Sequence, residues 1–235
     1  MTAVFPVQNF PRTSPVLVPD GVYPPQEDSS LLIEALRATG RVPGSRVADL
    51  CSGSGVVALA AAEQGADSVT AFEMSALAVD CARANAAVAG RDLAVVHGSW
   101  SRALEFAAYD VVTCNPPYVP YDENADDRAI PGTVGPELAW NAGSDGRQVL
   151  DPLCRRAPDL LADGGTILIV HSEFADIDRT VADLAAVGLH SEVVAEQWIP
   201  FGPVLTARAL WLERSGLLDI GRREERLAVV RADRI

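Results

Sequence analysis

Two strand–turn–helix units follow one another in the first half of the chain and restrict its fold more than any other feature. In the first unit, the apolar segment Arg46–Leu50 leads through a glycine-containing loop into a helical pattern of Val, Leu and Ala. In the second unit, Ser68–Glu73 leads into an alanine-rich helix over residues 75–88. Strands that alternate with helices predict a doubly wound α/β sheet, in which a ligand lies beyond the carboxyl ends of the strands.

The rest of the chain extends this pattern in both directions. A proline-rich, aperiodic arm precedes a helix that Asp28 or Ser29 is placed to cap. Two more strands are predicted at 93–97 and 109–114, and a buried strand at 166–170. A helix is predicted at 175–187, and a pair of terminal strands at 191–198 and 204–212. The arginine- and glutamate-rich residues 222–235 predict a solvated tail with one short strand. We therefore expect an arm and capping helix over 1–42, one α/β domain over 43–212 and a charged tail over 213–235.

The composition excludes several classes of partner and site. A formal net charge of −13 disfavours a nucleic-acid partner, because binding to phosphates draws on a basic surface. The four cysteines are widely spaced without a CxxC pair, and the three histidines do not cluster with them, so we expect reduced thiols, a cytoplasmic protein and no metal site. Neither a signal peptide nor an apolar segment of membrane-spanning length is evident, so we expect a soluble protein without a membrane partner.

The strand at 109–114 ends in Asn115, Pro116, Pro117 and Tyr118, which together can hold a planar NH2 group. The two prolines keep the backbone extended and leave the Pro116 carbonyl free to point into a cleft. The Asn115 side-chain oxygen is a second acceptor, and the Tyr118 ring can stack on the group that carries the nitrogen. We call residues 115–118 the amine clamp. The alternative is a strand that breaks into a Pro-Pro turn without any chemistry.

The loop after the first strand and the acid after the second predict a nucleoside pocket. The loop at 51–55 has neither the third glycine of dinucleotide-binding proteins nor the lysine of a P-loop, so it does not suit a pyrophosphate. Asp49 places a negative charge beside it, which suits an ammonium or sulfonium ligand and repels phosphate. Glu73 lies about 20 residues past the loop, where an acid can accept hydrogen bonds from a ribose diol. The alternatives are a plain tight turn and a surface carboxylate.

These demands fit S-adenosylmethionine, whose sulfonium activates a methyl group. An amide nitrogen is a poor nucleophile because its lone pair is delocalised. If the oxygens of Asn115 and Pro116 accept both of its N–H hydrogens, they favour the positively charged, pyramidal nitrogen of the transition state. The long polar segment 122–143, which follows the clamp, is a candidate lid or binding segment.

Four motifs occur in a specific order and spacing: VYPPQEDS from residue 22, DLCSGSGVV from residue 49, NPPYV from residue 115 and AWNAGSDGR from residue 139. Together they resemble class I methyltransferases of the HemK/PrmC type, and within these the short branch of eukaryotic and archaeal release-factor methyltransferases. The resemblance implies a Rossmann-like fold with a seven-stranded, mostly parallel sheet whose last strand is reversed. It also implies methyl transfer to the side-chain amide of a glutamine in a peptide release factor, and it raises a small zinc-binding activator subunit as a candidate partner.

The motifs and the resemblance together predict the site residues. The amine clamp, with Asn115, Pro116, Pro117 and Tyr118, would hold the accepting nitrogen as the catalytic group. The cofactor pocket would be lined by Tyr23, Glu27, Ser29, Asp49, Cys51, Ser52, Gly53, Gly55, Glu73, Met74, Ser99, Trp100 and Asn115.

Three departures from the family pattern leave the acceptor open. Ser99 stands where the family usually has an acid that binds the adenine amine, and Cys51 replaces a usual glycine. Only a short arm precedes the domain, where PrmC has a helical domain that grips its release factor. The alternatives are therefore a small-molecule N-methyltransferase, a methyltransferase for an exocyclic amine of nucleic acid, and a cofactor-binding partner subunit without turnover.

Overall fold

A seven-stranded sheet organises the computed structural model, which describes residues 2–4, 15–121 and 130–235. The strands of the described part are β1 (Thr2–Val4), β2 (Leu17–Pro19), β3 (Arg46–Leu50), β4 (Ser68–Glu73), β5 (Ala94–His97), β6 (Tyr109–Cys114), β7 (Leu161–Ser172), β8 (His190–Pro200) and β9 (Glu224–Asp233). The α-helices are α1 (Glu27–Thr39), α2 (Val56–Glu63), α3 (Ala76–Ala89), α4 (Leu150–Leu160), α5 (Ile177–Ala186) and α6 (Pro203–Arg214).

The order of the strands places a ligand cleft above the middle of the sheet. The order is β5-β4-β3-β6-β7-β9-β8, with parallel pairing from β5 to β7 and with β9 antiparallel to both of its neighbours. The chain moves outward from β3 in one direction and then returns to its other side with β6. Such a reversal of strand order is where ligands bind in open α/β sheets. The predicted fold, a mostly parallel seven-stranded sheet with its last strand reversed, is confirmed.

Two apolar layers cover the faces of the sheet. Helices α1, α2 and α3 contribute buried side chains to one layer, and α4 and α5 contribute to the other. A third, smaller cluster joins α6 to Val134 and Trp140 of the segment that follows the clamp, and this cluster also contains Val119 and Phe174. It lies beyond the carboxyl ends of the strands, so it forms a roof over the cleft.

The amino-terminal arm packs on the domain where it is described. Val16, Val18 and Val22 are buried, and β2 pairs with β1. The Leu17 backbone N–H donates to Asn85 Oδ1 at 2.8 Å, which ties the arm to α3. Residues 1 and 5–14 lie outside the described residues, as do 122–129 of the candidate lid.

The assignment of 204–212 as a strand was wrong, because these residues lie within helix α6. Gly202 precedes the helix and Pro203 occupies its first turn, where a missing N–H costs nothing. The buried positions of α6, at Val204, Leu205, Arg208, Ala209 and Leu212, recur every three or four residues as in an amphipathic helix.

The strand predicted within 222–235 is present, but the interpretation of these residues as a solvated tail was wrong. Residues Glu224–Asp233 form β9, which pairs with β7 on one side and with β8 on the other. Leu227, Ala228, Val229 and Val230 are fully buried in it. The sheet therefore continues past the boundary expected at residue 212, and β9 rather than 204–212 is the partner of β8.

The residue that caps α1 also differs from the prediction. Gln26 is the N-cap residue, and its side chain makes no capping hydrogen bond. Asp28 and Ser29 lie inside the first turn, where both are buried. They face the cleft instead of capping the helix. Within the described ranges, no helix is long and apolar enough to cross a membrane.

Candidate active site

A cavity of about 590 Å³ lies at the carboxyl ends of β3, β4 and β6, beneath the roof. The residues predicted for the clamp and for the cofactor pocket line it, with the exception of Gly55. Gly55 is the N-cap residue of α2 instead. The sheet topology thus brings together residues that are nearly a hundred positions apart, from Tyr23 to Tyr118.

Asp49, near the end of β3, fixes the loop at 51–55 to the sheet. Its Oδ2 accepts hydrogen bonds from the Ser52 hydroxyl at 2.7 Å and the Ala58 backbone N–H at 3.2 Å, and its Oδ1 accepts one from the Thr113 hydroxyl at 2.8 Å. Burial raises the pKa of Asp49 to about 6, against the opposing effect of these hydrogen bonds. Asp49 therefore holds the loop, α2 and β6 in one arrangement, and it adds an acidic group to the cavity wall.

Glu73 ends β4 and faces the same loop. Its Oε2 accepts a hydrogen bond from the Gly53 backbone N–H at 2.8 Å, and its Oε1 accepts one from the Ser75 backbone N–H at 2.7 Å. Each carboxylate oxygen can accept a second hydrogen bond. The held carboxylate is therefore a suitable acceptor for the two hydroxyls of a ribose, and its negative charge would repel a phosphate.

The loop at 51–55 turns through three residues with left-handed backbone conformations. Cys51, Gly53 and Gly55 have φ values of 56°, 55° and 82°. This region favours glycine, so Cys51 occupies a conformation that a side chain disfavours. A Cβ atom on Gly55 would lie 3.0 Å from the Ala82 Cβ, which shows how closely the loop approaches α3.

The remaining wall of the nucleoside half is formed after β4 and β5. Ser99 is the N-cap residue of a 3-10 helix, Trp100–Glu105, and its hydroxyl accepts a hydrogen bond from the Ser101 N–H at 3.4 Å. Trp100 is half-buried against the core, and Met74 is exposed at the cavity edge. The Ser99 hydroxyl and the Trp100 ring supply a polar group and an aromatic surface at this edge.

The amine clamp presents the side chain of Asn115 to the cavity. Its Nδ2 donates a hydrogen bond to Ser29 Oγ at 3.3 Å, which leaves Oδ1 as an acceptor. Ser29 is held in turn by Asp28, whose Oδ1 accepts hydrogen bonds from the Ser29 N–H at 2.5 Å and from its hydroxyl at 3.2 Å. The amide of Asn115 is thus oriented by α1 and is not turned into the core.

Tyr118 connects the clamp to α1 as well. Its hydroxyl donates a hydrogen bond to Asp28 Oδ2 at 3.2 Å. Burial, and next the charge of Asp28, raise the pKa of Tyr118 well above its usual value, and the same two causes act on the pKa of Tyr23. Both phenols therefore stay protonated at neutral pH and can donate hydrogen bonds within the cavity.

Sequence reasoning missed two parts of the cavity wall and left Asp28 out of the predicted pocket. The sequence favours Asp28 as a helix cap or, together with Glu27 and Ser29, as part of a group that could close over a ligand. Glu225 lines the cavity from the start of β9, and Val204 and Leu205 line it from α6. The sequence did contain a signal for Glu225. An acid stands at one end of the apolar segment 227–230, just as Glu73 stands at one end of the strand β4.

Comparison with known proteins identifies similar chains. Residues 21–130 match the family model described as the methyltransferase small domain. A release factor glutamine methyltransferase of Neisseria gonorrhoeae is 37% identical over 153 residues, which are 63% of this chain and 54% of the relative. A Methanocaldococcus jannaschii chain, assigned provisionally as a protein N5-glutamine methyltransferase, is 28% identical over 188 residues, which are 80% of this chain and 91% of the relative. The chain therefore spans about half the length of the bacterial relative and nearly all of the archaeal one.

Solved structures share the fold. The structure of the Mtq2–Trm112 complex of E. cuniculi, described as responsible for methylation of the eRF1 translation termination factor, superposes with a TM-score of 0.60. The superposition covers 92% of this chain and 99% of that one, at 19% sequence identity. At this identity the likeness establishes the architecture and the order of the elements.

Proposed function

We propose that the chain is a class I methyltransferase, as its similarity to the methyltransferase small domain and to glutamine methyltransferases indicates, and that it methylates the side-chain amide of a protein glutamine, with a peptide release factor as its substrate. The observation that supports this best is the amine clamp, with the Asn115 amide held by Ser29 at the wall of the cavity. The clamp opens on the same cavity as the nucleoside-binding residues, as transfer between a cofactor and an amide requires.

S-adenosylmethionine is the cofactor of this family, and the residues of the cavity fit it. Glu73 would bind the ribose hydroxyls, and the loop at 51–55 would lie against the cofactor with its backbone. Ser99 and Trp100 would contact the adenine ring. Asp49 supplies negative charge on the side where a positive sulfonium would lie. When bound, the cofactor supplies an electrophilic methyl group.

The chain's own residues position and stabilise the accepting nitrogen. Asn115 Oδ1 and the Pro116 carbonyl accept its two N–H hydrogens and point its remaining lone pair at the methyl group. Positive charge develops on the nitrogen as the new C–N bond forms, and the two oxygens stabilise that charge. By analogy with oxyanion-hole donors, a fixed acceptor of this kind stabilises the transition state by about 2.7–4 kcal/mol. The bond between the methyl carbon and sulfur would break with its electrons left on sulfur, and the nitrogen would lose one proton to solvent to give a neutral N-methyl amide.

A transfer assay with defined peptides tests this function. We expect tritium from methyl-labelled S-adenosylmethionine to reach a release-factor peptide that contains glutamine. We expect no label when the glutamine is replaced by asparagine, whose amide lies one methylene closer to the backbone, or by glutamate, which has no amide nitrogen. Label in a small-molecule fraction, with none in protein, would contradict the proposal.

The proposal extends to a protein partner. The similar E. cuniculi chain was solved as a complex with Trm112, and we infer that a small activator subunit also binds this chain. Transfer measured with the purified chain alone, and again after addition of such a subunit, tests the inference. Full activity and an unchanged cofactor Kd without the subunit would contradict it.

A further inference from the structure

Glu225 is a buried acid in the cavity wall with one oxygen unused. It is the second residue of β9, pairs with Ile199 of β8, and is 4% exposed. The Ser172 side chain forms a hydrogen bond with its carboxyl group. Within the described part of the chain, its Oε2 has no hydrogen-bond partner. Buried acceptors are normally paired, so an unpaired one in a cavity wall points to a missing ligand.

The groups that face Glu225 are acidic or phenolic. Asp28 and Glu27 face it from α1, and Glu173 faces it from the turn after β7. Burial, and to a lesser extent these charges, raise the pKa of Glu225 to about 7, whereas the hydrogen bond with Ser172 opposes the rise. The Arg222 side chain binds Glu173 at 2.9 Å. The charge of Glu225 also raises the pKa of Tyr118, so Glu225 acts on the acceptor side of the cavity.

Glu225 is separated from the reacting position. Strand β7 lies between β6, which carries the clamp, and β9. Neighbouring strands are about 4.8 Å apart, so the two backbones are separated by roughly 10 Å. An amide that gives both of its N–H hydrogens to the clamp has none left for Glu225. If Glu225 binds the acceptor, it does so through another part of the same molecule.

We propose that Glu225 is an acceptor-binding residue: its Oε2 accepts a hydrogen bond from an N–H of the polypeptide segment that carries the methylated side chain, and its charge rejects segments with an acidic residue beside that side chain. This inference rests on the proposed function, since it assumes a polypeptide acceptor. A neutral or basic segment fits because a carboxylate would enter a cavity that already holds Asp28, Glu27 and Glu225.

The test compares two variants and two peptides. Glu225→Gln removes the charge and keeps the shape, and Glu224→Gln changes the exposed neighbour in the same strand. Each protein is assayed with a glutamine peptide flanked by serine and with the same peptide flanked by aspartate. We expect Glu225→Gln to raise the KM for the serine peptide on the order of tenfold, with kcat within about twofold, because a charge-assisted hydrogen bond becomes a neutral one.

The same variant should lose much of the discrimination against the aspartate peptide, while Glu224→Gln should keep the native preference. An unchanged KM and an unchanged preference in Glu225→Gln would overturn the proposal. A loss of kcat alone, with the preference intact, would also overturn it, since that pattern indicates a structural or chemical role.

A second measurement needs no variant and so does not depend on folding of Glu225→Gln. Binding of the serine peptide to the wild-type chain with S-adenosylhomocysteine is measured between pH 6 and pH 8. We expect tighter binding as the pH rises through about 7, because the ionised carboxylate is the stronger acceptor. Affinity that falls as the pH rises over this range would overturn the proposal.

The two hypotheses fail in different ways. If glutamine peptides are methylated but Glu225→Gln keeps its KM and preference, the proposed function stands and Glu225 has no part in binding. If no glutamine peptide is methylated, yet peptides still bind with a preference that Glu225→Gln removes, the binding role stands and the proposed acceptor is wrong.

Discussion

Individual side chains in the cavity are oriented by neighbours from distant parts of the chain. The Asn115 amide depends on Ser29, Ser29 depends on Asp28, and Asp28 also receives the Tyr118 hydroxyl. Because α1 supplies two members of this series and the clamp supplies the other two, a change in either element alters the same acceptor oxygen. The proposed chemistry therefore depends on a few hydrogen bonds of about 3 Å between α1 and the end of β6.

Replacement of Asn115 tests the clamp directly. We expect Asn115→Ala to lower kcat by about 10²–10³-fold, as the loss of one fixed stabilising group does in oxyanion holes. Binding of S-adenosylmethionine, measured by calorimetry, should change little. Asn115→Asp keeps an oxygen at the same place and should retain more activity than Asn115→Ala. Full transfer by Asn115→Ala would show that the clamp is not the catalytic group.

Asp49 makes stability depend on pH in a defined direction. Its pKa rises to about 6 in the folded protein, so its contribution to the free energy of unfolding is full below its unfolded pKa and is lost as the pH rises through about 6. The shift corresponds to about 3 kcal/mol. In urea unfolding at pH 4.5 and 7.5, wild type should lose more stability than Asp49→Asn over this interval, and equal losses would contradict the assignment.

Among the elements, the glycine loop shows how packing limits substitution. Both Gly53 and Gly55 have positive φ, but only Gly55 has a neighbour where a Cβ atom would lie, at 3.0 Å from Ala82 Cβ. We expect Gly53→Ala to destabilise the fold by about 1–2 kcal/mol through backbone strain. Gly55→Ala should cost about 1–3 kcal/mol more because it also overpacks α2 against α3. Equal thermal-unfolding midpoints for the two variants would contradict this account.

The parallel half of the sheet could be predicted because its signals are local. Each strand from β3 to β6 is a short apolar segment followed by a glycine, an acid or a proline, and the clamp and Glu73 stand at such ends. Helix α6 was missed because Arg208 breaks its apolar pattern. In the structure Arg208 is buried, with its guanidinium 4.8 Å from the centre of the Tyr121 ring. In a sequence an arginine suggests a surface position, and only the structure shows that Arg208 is buried beside aromatic rings.

At the scale of the whole molecule, the burial of β9 within the sheet and the role of Glu225 in the cavity wall were missed for the same reason. β9 lies between β7 and β8, and its pairing with β7 joins positions more than 50 residues apart, which no local pattern specifies. Its charged residues suggested a tail because their partners are also distant, as with Arg226 and Glu196 at 2.7 Å. Glu225 was therefore overlooked together with the burial of the strand that places it in the cavity.

Truncation tests the importance of β9. A chain that ends at residue 223 exposes the hydrogen-bonding edges of β7 and β8 and the apolar faces that cover Leu227 to Val230. We expect it to aggregate or to lose cooperative unfolding in circular dichroism. Removal of Ile235 alone, which is 99% exposed, should leave the unfolding transition unchanged. A cooperative transition in the shorter chain would contradict the structural role of β9.

Strand β9 lies between two strands that precede it in the chain, so the order of synthesis affects when the sheet can be completed. Each of β4, β5, β6 and β7 has a neighbour in the sheet that precedes it in the chain, whereas β8 is synthesised before its native partner β9. The native pairing of β8 therefore requires residues 224–233. The half of the cavity that holds Glu225 is therefore completed only after residues 224–233 have been synthesised.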